Sequence, residues 1–118
     1  MQKSRFSNYN DGMVFLYRRK DENISSFKQN KNIKSVNDLN LIVKLAFEES
    51  VKRERDLEFA EKQGFSLSVK VKTRLYPDVD NDCVAVIDGC LYSISYSDKD
   101  RHKNEMWLYL ERIGQIAT

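Results

Sequence analysis

The amino-acid sequence predicts a mainly β fold, namely a small antiparallel β-barrel of about six strands with long loops. Two observations carry this prediction. Residues 65–74 alternate cleanly between apolar and polar side chains, and an Asp-Gly pair at 88–89 separates two further β-rich runs. One short helix within residues 48–63 is compatible with the same pattern.

The run 65–74 is the clearest strand. Its odd-numbered positions, from Phe65 to Thr73, are apolar or β-branched, and its even-numbered positions are polar or basic. A helix would scatter these residues around its axis, whereas successive residues of a strand point to opposite faces. We therefore expect the odd-numbered residues in the core and Lys70 and Lys72 on the solvent side.

The Asp-Gly pair at 88–89 predicts a tight hairpin between the runs 83–87 and 90–96, because a type I′ turn needs positive φ at both central residues. With these two residues as the loop, Ile87 lies opposite Cys90, and opposed residues share a face. The core face then carries Cys83, Ala85, Ile87, Cys90, Tyr92, Ile94 and Tyr96. The outer face carries the mixed set Val84, Val86, Leu91, Ser93 and Ser95.

The same register separates the two cysteines, Cys83 and Cys90. They share a face but lie about four strand positions apart, or roughly 13 Å. A disulfide needs Cα atoms closer than about 7 Å. Both are therefore predicted to be small buried thiols in a reducing compartment.

Three further strands complete the predicted barrel. Residues 13–17 and 41–47 form strands in the N-terminal half, and residues 106–110 form the last strand after a polar turn at 97–103. The connection 20–40 is polar and long, and loops of that length are usually functional or disordered.

The charged run 48–63 leaves two structures open. A thin apolar stripe and the pairs Glu48–Lys52 and Glu49–Arg53, at i and i+4, are typical of a short surface helix. An extended, projecting loop fits the same composition equally well.

Composition argues against several classes of protein. The formal charge is +2, from 20 basic and 18 acidic residues, which is too balanced for a dedicated nucleic-acid binder. No apolar run approaches the roughly 20 residues that cross a bilayer, and no secretory signal is visible, so we expect no membrane association. The 118 residues are predicted to form one domain, 1–118, with loose tails at 1–11 and 115–118.

A search for catalytic or metal-binding residues finds little. His102 is the single histidine, which rules out a multi-histidine metal site within one chain. Asp78, Asp80 and Asp82 have the spacing of the start of a calcium loop, but Cys83 stands where that loop needs glycine. We therefore predict that the protein is not an enzyme and binds no cofactor or metal.

Three segments of the C-terminal half form a pattern in a fixed order. They are the alternating strand 67–74, the hairpin 84–94 around its Asp-Gly turn, and the amphipathic strand 106–112. This order resembles the head–tail joining, or head-closure, proteins of siphophages. The resemblance covers about half the chain, from near Phe59 to Gly114, and the connection 20–40 does not align with the family.

The resemblance implies a structural virion protein of the phage neck. In that family the barrel repeats as a ring, of roughly six or twelve copies, below the portal and adaptor. The ring closes the DNA channel after packaging and docks the tail terminator or tail tube. The expected location is the virion neck, with the host cytoplasm as the site of assembly.

The resemblance also implies where contacts are made. In the stopper branch of the family, the segment between the second and third strands projects towards the channel, and here that segment is 48–64. Its candidate channel or assembly residues are Lys52, Arg53, Glu54, Arg55, Asp56, Glu58 and Lys62. The candidate contacts with a neighbouring copy or partner are Lys28, Lys31, Lys34, Val84, Val86 and Leu91. The mixed charge of the segment 48–64 suits contacts between copies, or non-specific contacts with packaged DNA.

Two other functions remain open. A small β-barrel nucleic-acid-binding module is the alternative from a different class, because aromatic residues accompany Lys70, Lys72 and Arg74. A tail-terminator or other neighbouring neck protein is the alternative from the same assembly. Salt-sensitive DNA binding by the isolated monomer would favour the nucleic-acid module.

Overall fold

The computed structural model describes residues 9–19 and 39–116. The predicted long connection, with Lys28, Lys31 and Lys34, lies outside the described residues. The elements, in chain order, are β1 Gly12–Arg19, β2 Leu39–Ser50, α1 Glu54–Gln63, β3 Val69–Arg74, β4 Cys83–Ile87, β5 Cys90–Asp100 and β6 Glu105–Gln115.

The six strands form one closed antiparallel sheet in the order β1-β2-β3-β6-β5-β4. Every neighbouring pair is antiparallel, including β1 with β4, which closes the sheet. The predicted fold class, a mainly β closed sheet of about six antiparallel strands with one short helix, is confirmed. Closure joins the two strands that would otherwise be edges, through pairing of residues 15–18 of β1 with residues 83–86 of β4.

The hairpin between β4 and β5 has the predicted register. Ile87 pairs with Cys90, and Ala85 pairs with Tyr92. Asp88 has φ 51° and the glycine that follows has φ 77°, as the predicted turn requires. The two cysteines are both free thiols. Burial raises the pKa of Cys83, which makes this thiol less reactive.

The main core fills the inside of the closed sheet. Leu16, Leu108 and Leu110 come from facing strands and are fully buried there. Thr73, predicted on the core face, is also fully buried. Its hydroxyl donates a hydrogen bond to the Arg74 carbonyl over 3.0 Å, so the polar atom is satisfied within the strand.

One residue of the predicted core face lies on the other side of the sheet. The pairing of β5 with β6 shifts between Ile94 and Tyr96, and Tyr96 lies opposite Tyr109. A bulge inserts a residue and reverses the alternation beyond it. Tyr96 is consequently 39% exposed on the outer surface, which corrects the prediction for this residue.

The outer face of the hairpin is a second core. Val84, Val86 and Leu91 are only 0%, 3% and 2% exposed. They pack with a set of apolar neighbours: Phe15, Tyr17, Leu39, Ile113 and Ile116. The prediction that these three residues contact a neighbouring copy is therefore wrong, because they are buried within their own chain.

The tails that the sequence predicts to be loose are partly fixed. The Asp11 backbone N–H donates to the Phe47 carbonyl over 2.9 Å, and the Ile116 N–H donates to the Gly89 carbonyl over 3.0 Å. Ile116 is also buried. The described parts of both tails are thus tied to the sheet.

The charged run contains a helix, but a shorter one than its i, i+4 pairs predict. Glu48 and Glu49 belong to β2, so they form no helical pairs. The helix ends at Gly64, whose φ is 85°, and the Phe65 N–H donates to the Ala60 carbonyl over 3.0 Å. Glycine is favoured in this left-handed C-cap. No helix in the described ranges is long and apolar enough to cross a membrane.

The predicted strand 65–74 begins four residues late, at Val69. The two apolar residues before it, Phe65 and Leu67, pack with Ala60 and Tyr109 outside the sheet. The alternation therefore marks two environments: the barrel interior for Val71 and Thr73, and the underside of α1 for the residues before the strand.

Candidate functional site

A groove of about 720 Å³ lies between the first half of α1 and the outer face of β2, β3, β5 and β6. Both charge signs and four aromatic rings line it. Its lining residues are Glu48, Glu49, Ser50, Val51, Arg53, Arg55, Asp56, Phe59, Lys70, Lys72, Tyr96, Asp98, Trp107 and Tyr109.

Asp56 is the hub of the groove. It is 4% exposed, and its Oδ2 lies 3.1 Å from Lys70 Nζ. The same oxygen accepts the Arg53 backbone N–H over 3.0 Å, and Oδ1 accepts the Tyr109 hydroxyl over 3.2 Å. Asp56 is the third residue of α1, where an acidic side chain reaches back to an unsatisfied N–H. One carboxylate thereby joins the helix start to β3 and β6.

The surroundings of Asp56 and Tyr109 shift the pKa of each side chain away from neutral pH. Burial by itself would raise the pKa of Asp56, but the hydrogen bond from Arg53 and the bond and charge of Lys70 outweigh it, so the pKa lies below its usual value. Burial, followed by the charge of Asp56 and the bond to it, raises the pKa of Tyr109 to about 12. At neutral pH the aspartate is ionised and the tyrosine is protonated.

A second basic residue, Lys72, lies two residues after Lys70 in β3, on the same face of the strand. Lys72 Nζ is 3.8 Å from Glu48 Oε1 and 3.9 Å from Glu105 Oε2, and it stands 5.9 Å from the centre of the Trp107 ring. The Tyr9 hydroxyl donates to the same Glu105 oxygen over 2.9 Å. The ammonium group is therefore surrounded by carboxylates and an aromatic face.

The aromatic side of the groove packs α1 onto the sheet. The Phe59 ring lies 4.9 Å from the Tyr96 ring and 5.9 Å from the Tyr109 ring, both edge to face. The two tyrosine rings lie 5.2 Å apart, also edge to face. Such pairs add about 0.5–1.5 kcal/mol each beyond area burial. The helix is held by this cluster as well as by the ion pair.

The two titratable groups at the centre of the groove, Asp56 and Tyr109, each keep one protonation state near neutral pH. A proton donor or acceptor for catalysis works best with a pKa near the operating pH, and the pKa values of Asp56 and Tyr109 are shifted away from neutrality. No cluster of metal-ligating side chains occurs in the described ranges. The arrangement holds α1 against the sheet by an ion pair and aromatic contacts, with charged side chains on its exposed side.

The candidate assembly residues differ in burial and in position. Asp56 is buried, whereas Glu54, Arg55, Glu58 and Lys62 are exposed along the helix. The remaining two lie just before the helix: Lys52 donates to the Ser68 carbonyl over 2.9 Å, and Arg53 is the N-cap.

The aspartate run after Pro77 is a turn braced by arginines. Asp80 Oδ1 accepts the Asp82 N–H over 2.9 Å. Arg18 donates to the Asp78 carbonyl, and Arg19 donates to the Asp82 carbonyl. The carbonyl groups of this turn thus accept hydrogen bonds from the arginines at the end of β1, and its Asp80 carboxylate accepts one within the turn.

Sequence reasoning missed that the lysines of β3 and the aromatic residues of β6 share one face. Lys70 Nζ stands 5.1 Å from the Tyr109 ring centre. Trp107 and Tyr109 lie outside the sheet beneath α1. The available signal was the alternation in β6 itself, where Met106, Leu108 and Leu110 form the inner set.

Comparison with known proteins finds no family model that matches this chain and no significant match to a curated protein.

Proposed function

We propose that the chain is a structural subunit of the neck of a tailed phage. Copies assemble as a ring below the portal or adaptor, close the DNA channel after packaging and provide the surface on which the tail docks. The observation that carries the proposal is a closed β-barrel with a helix clamped to its outer face between β2 and β3. This is the position of the projecting segment in the family that the sequence resembles.

A closed barrel suits a ring subunit because closure pairs strands that would otherwise be open edges. An open sheet invites edge-to-edge pairing into fibres, whereas here β1 and β4 pair with each other and close the sheet. A ring also needs a subunit that keeps its shape under the pressure of packaged DNA. The buried Asp56–Lys70 pair and the aromatic cluster fix α1 to the barrel, which meets that need.

The exposed side of α1 supplies polar contacts. Glu54, Arg55, Glu58 and Lys62 are all exposed there, and both charge signs are present. Charges of this kind set orientation and partner choice more than raw affinity. They suit contacts with an adjoining ring or a neighbouring copy.

The nucleic-acid-binding alternative is weakened by the pairing of the β3 lysines. A phosphate backbone is attracted by unpaired cations. Lys70 faces Asp56, and Lys72 faces Glu48 and Glu105. Nucleic acid would have to displace these carboxylates, and α1 covers part of the aromatic surface on which bases would stack.

Electron microscopy of particles tests the proposal. In the phage that encodes this chain, an early stop codon in the gene is expected to yield heads that have lost DNA, together with separate, complete tails. The intact gene supplied in trans should restore whole virions. Normal, infectious virions from the stop-codon phage would contradict the proposal.

A further inference from the structure

The exposed surface of α1 borders a second groove, of about 530 Å³, which we call the helix patch. Its apolar lining comprises Leu57, Ala60, Phe65 and Leu67, and two carboxylates, Glu61 and Glu111, stand at its rim. No basic residue lines it. Leu57 is 48% exposed, so an apolar side chain with two carboxylates in the same groove faces outward.

A surface of opposite character lies on β1 and β2, and we call it the strand patch: Met13, Leu41 and Lys44. Met13 and Leu41 are 40% and 58% exposed, and Lys44 is exposed between them. Lys44 pairs across the strands with Phe15, and its Nζ stands 5.7 Å from that ring centre. Within the described ranges this ammonium group has no carboxylate partner.

The two patches face in different directions around the barrel. The strand patch lies on the outer face of β1 and β2, because Val14 and Leu16 of β1 point into the core. The helix patch lies above β6, two strands beyond β2 in the closed order β1-β2-β3-β6-β5-β4. Two different complementary patches on one subunit are what a head-to-tail contact requires.

We propose that the helix patch of one copy binds the strand patch of the next copy. Met13 and Leu41 cover the apolar lining, and the Lys44 ammonium group meets the carboxylates of Glu61 and Glu111. The inference rests on the proposed ring, and it names the pair of surfaces that joins the copies. It replaces the hairpin face, whose apolar residues are buried within the chain.

A second copy is favoured over another partner at the helix patch because the two patches are complementary both in apolar surface and in charge. The helix patch offers apolar area with negative charge. The strand patch offers apolar area with a positive charge, Lys44, that has no carboxylate partner among residues 9–19 and 39–116. An acidic or neutral partner would leave one set of charges unmatched, which costs affinity.

Sedimentation velocity on the full chain, over a range of concentrations at low and high salt, tests the interface. Lys44→Glu and Glu61→Lys are each expected to weaken self-association by about tenfold or more, because like charges then face each other. Combining the two exchanges the charges and should restore much of the association. Lys103→Glu, in an exposed turn, is the matched control and should change nothing.

Proximity is tested by cross-linking. With the half-buried native thiol removed by Cys90→Ser in every chain, a mixture of Leu41→Cys and Leu57→Cys chains should give a hetero-dimer with a short thiol-specific linker, while either variant alone should not. The control replaces the second partner by Lys103→Cys, which should give no product.

Two results would overturn the inference. One is a chain that stays monomeric at all concentrations, and the other is self-association that is indifferent to Lys44→Glu and Glu61→Lys. Both are distinct from failure of the proposed function, which the stop-codon particles decide without reference to this interface.

Discussion

Replacing Asp56 by alanine removes the residue that joins α1 to the barrel. In the folded chain its carboxylate pairs with Lys70 and accepts hydrogen bonds from Arg53 and Tyr109. The Asp56 and Lys70 side chains are 6% and 13% exposed, so water reaches them poorly. Alanine leaves an ammonium group, a hydroxyl and a helix N–H without their acceptor.

The size of the effect follows from these losses. Removing one partner of a buried ion pair costs about 3–5 kcal/mol, and losing a helix cap costs about 1 kcal/mol. The losses overlap, and the lysine can turn towards the groove, so we expect about 2–4 kcal/mol in the free energy of unfolding. That is a large part of the roughly 5–15 kcal/mol available to a domain.

Urea unfolding followed by fluorescence and circular dichroism measures this loss. The matched control is Glu58→Ala, an exposed residue of the same helix, which should change stability by less than about 0.5 kcal/mol. Adding Lys70→Met to Asp56→Ala should recover part of the loss, because no buried charge then lacks a partner.

Limited trypsin digestion locates the effect. In Asp56→Ala, cleavage after Arg53, Arg55 and Lys62 should accelerate before the barrel itself unfolds. Equal stability of Asp56→Ala and the unaltered chain, or unchanged cleavage in this segment, would refute the claim that Asp56 holds α1 on the barrel.

Three further predictions follow from the same contacts. Folding lowers the pKa of Asp56, so the stabilisation that its carboxylate gives the folded chain is present above the unfolded pKa of about 4 and is lost as pH falls. The difference in stability between the unaltered chain and Asp56→Asn should therefore shrink in acid. A difference that does not change with pH would contradict this. The pKa of Tyr109 is raised to about 12, so the unaltered chain should lose up to about 2 kcal/mol between about pH 10 and pH 12 relative to Tyr109→Phe, and parallel stability curves would count against it. Leu91→Ala should cost about 2–5 kcal/mol in urea unfolding because Leu91 is buried, whereas a loss below about 1 kcal/mol would mean that the hairpin's outer face is not a core.

The hairpin shows what local sequence can predict. Its turn needs positive φ at two adjacent residues, and the Asp-Gly pair at 88–89 meets that need within the chain segment itself. Once the turn is placed, the register of Ile87 with Cys90 follows. The same local logic identified Val71 and Thr73 as core residues, since a strand alternates strictly.

The bulge near Tyr96 is a feature that the local sequence does not predict. Nothing in the run 90–96 marks the shift of register, because it arises from pairing with β6, which is distant in sequence. The second core has the same origin. Val84 and Val86 look like a mixed surface in the hairpin alone, and they become buried when residues of β1, β2 and β6 join them.

The surroundings of Asp56 could not be predicted from the sequence. The family resemblance placed Asp56 among seven candidate assembly residues along one segment. Its burial depends on Lys70, 14 residues away, and on Tyr109, 53 residues away. Such long-range partners cannot be paired from periodicity, so the hub of the groove looked like one more surface charge.

The proposed neck function is tested most directly by high-resolution electron cryo-microscopy of the neck of a phage that carries the gene for this chain. We expect a ring of density below the portal or adaptor into which copies of this six-stranded barrel fit, with the helix patch of each copy against the strand patch of the next. A fully assigned neck with no place for the barrel would contradict the claim that this chain closes it.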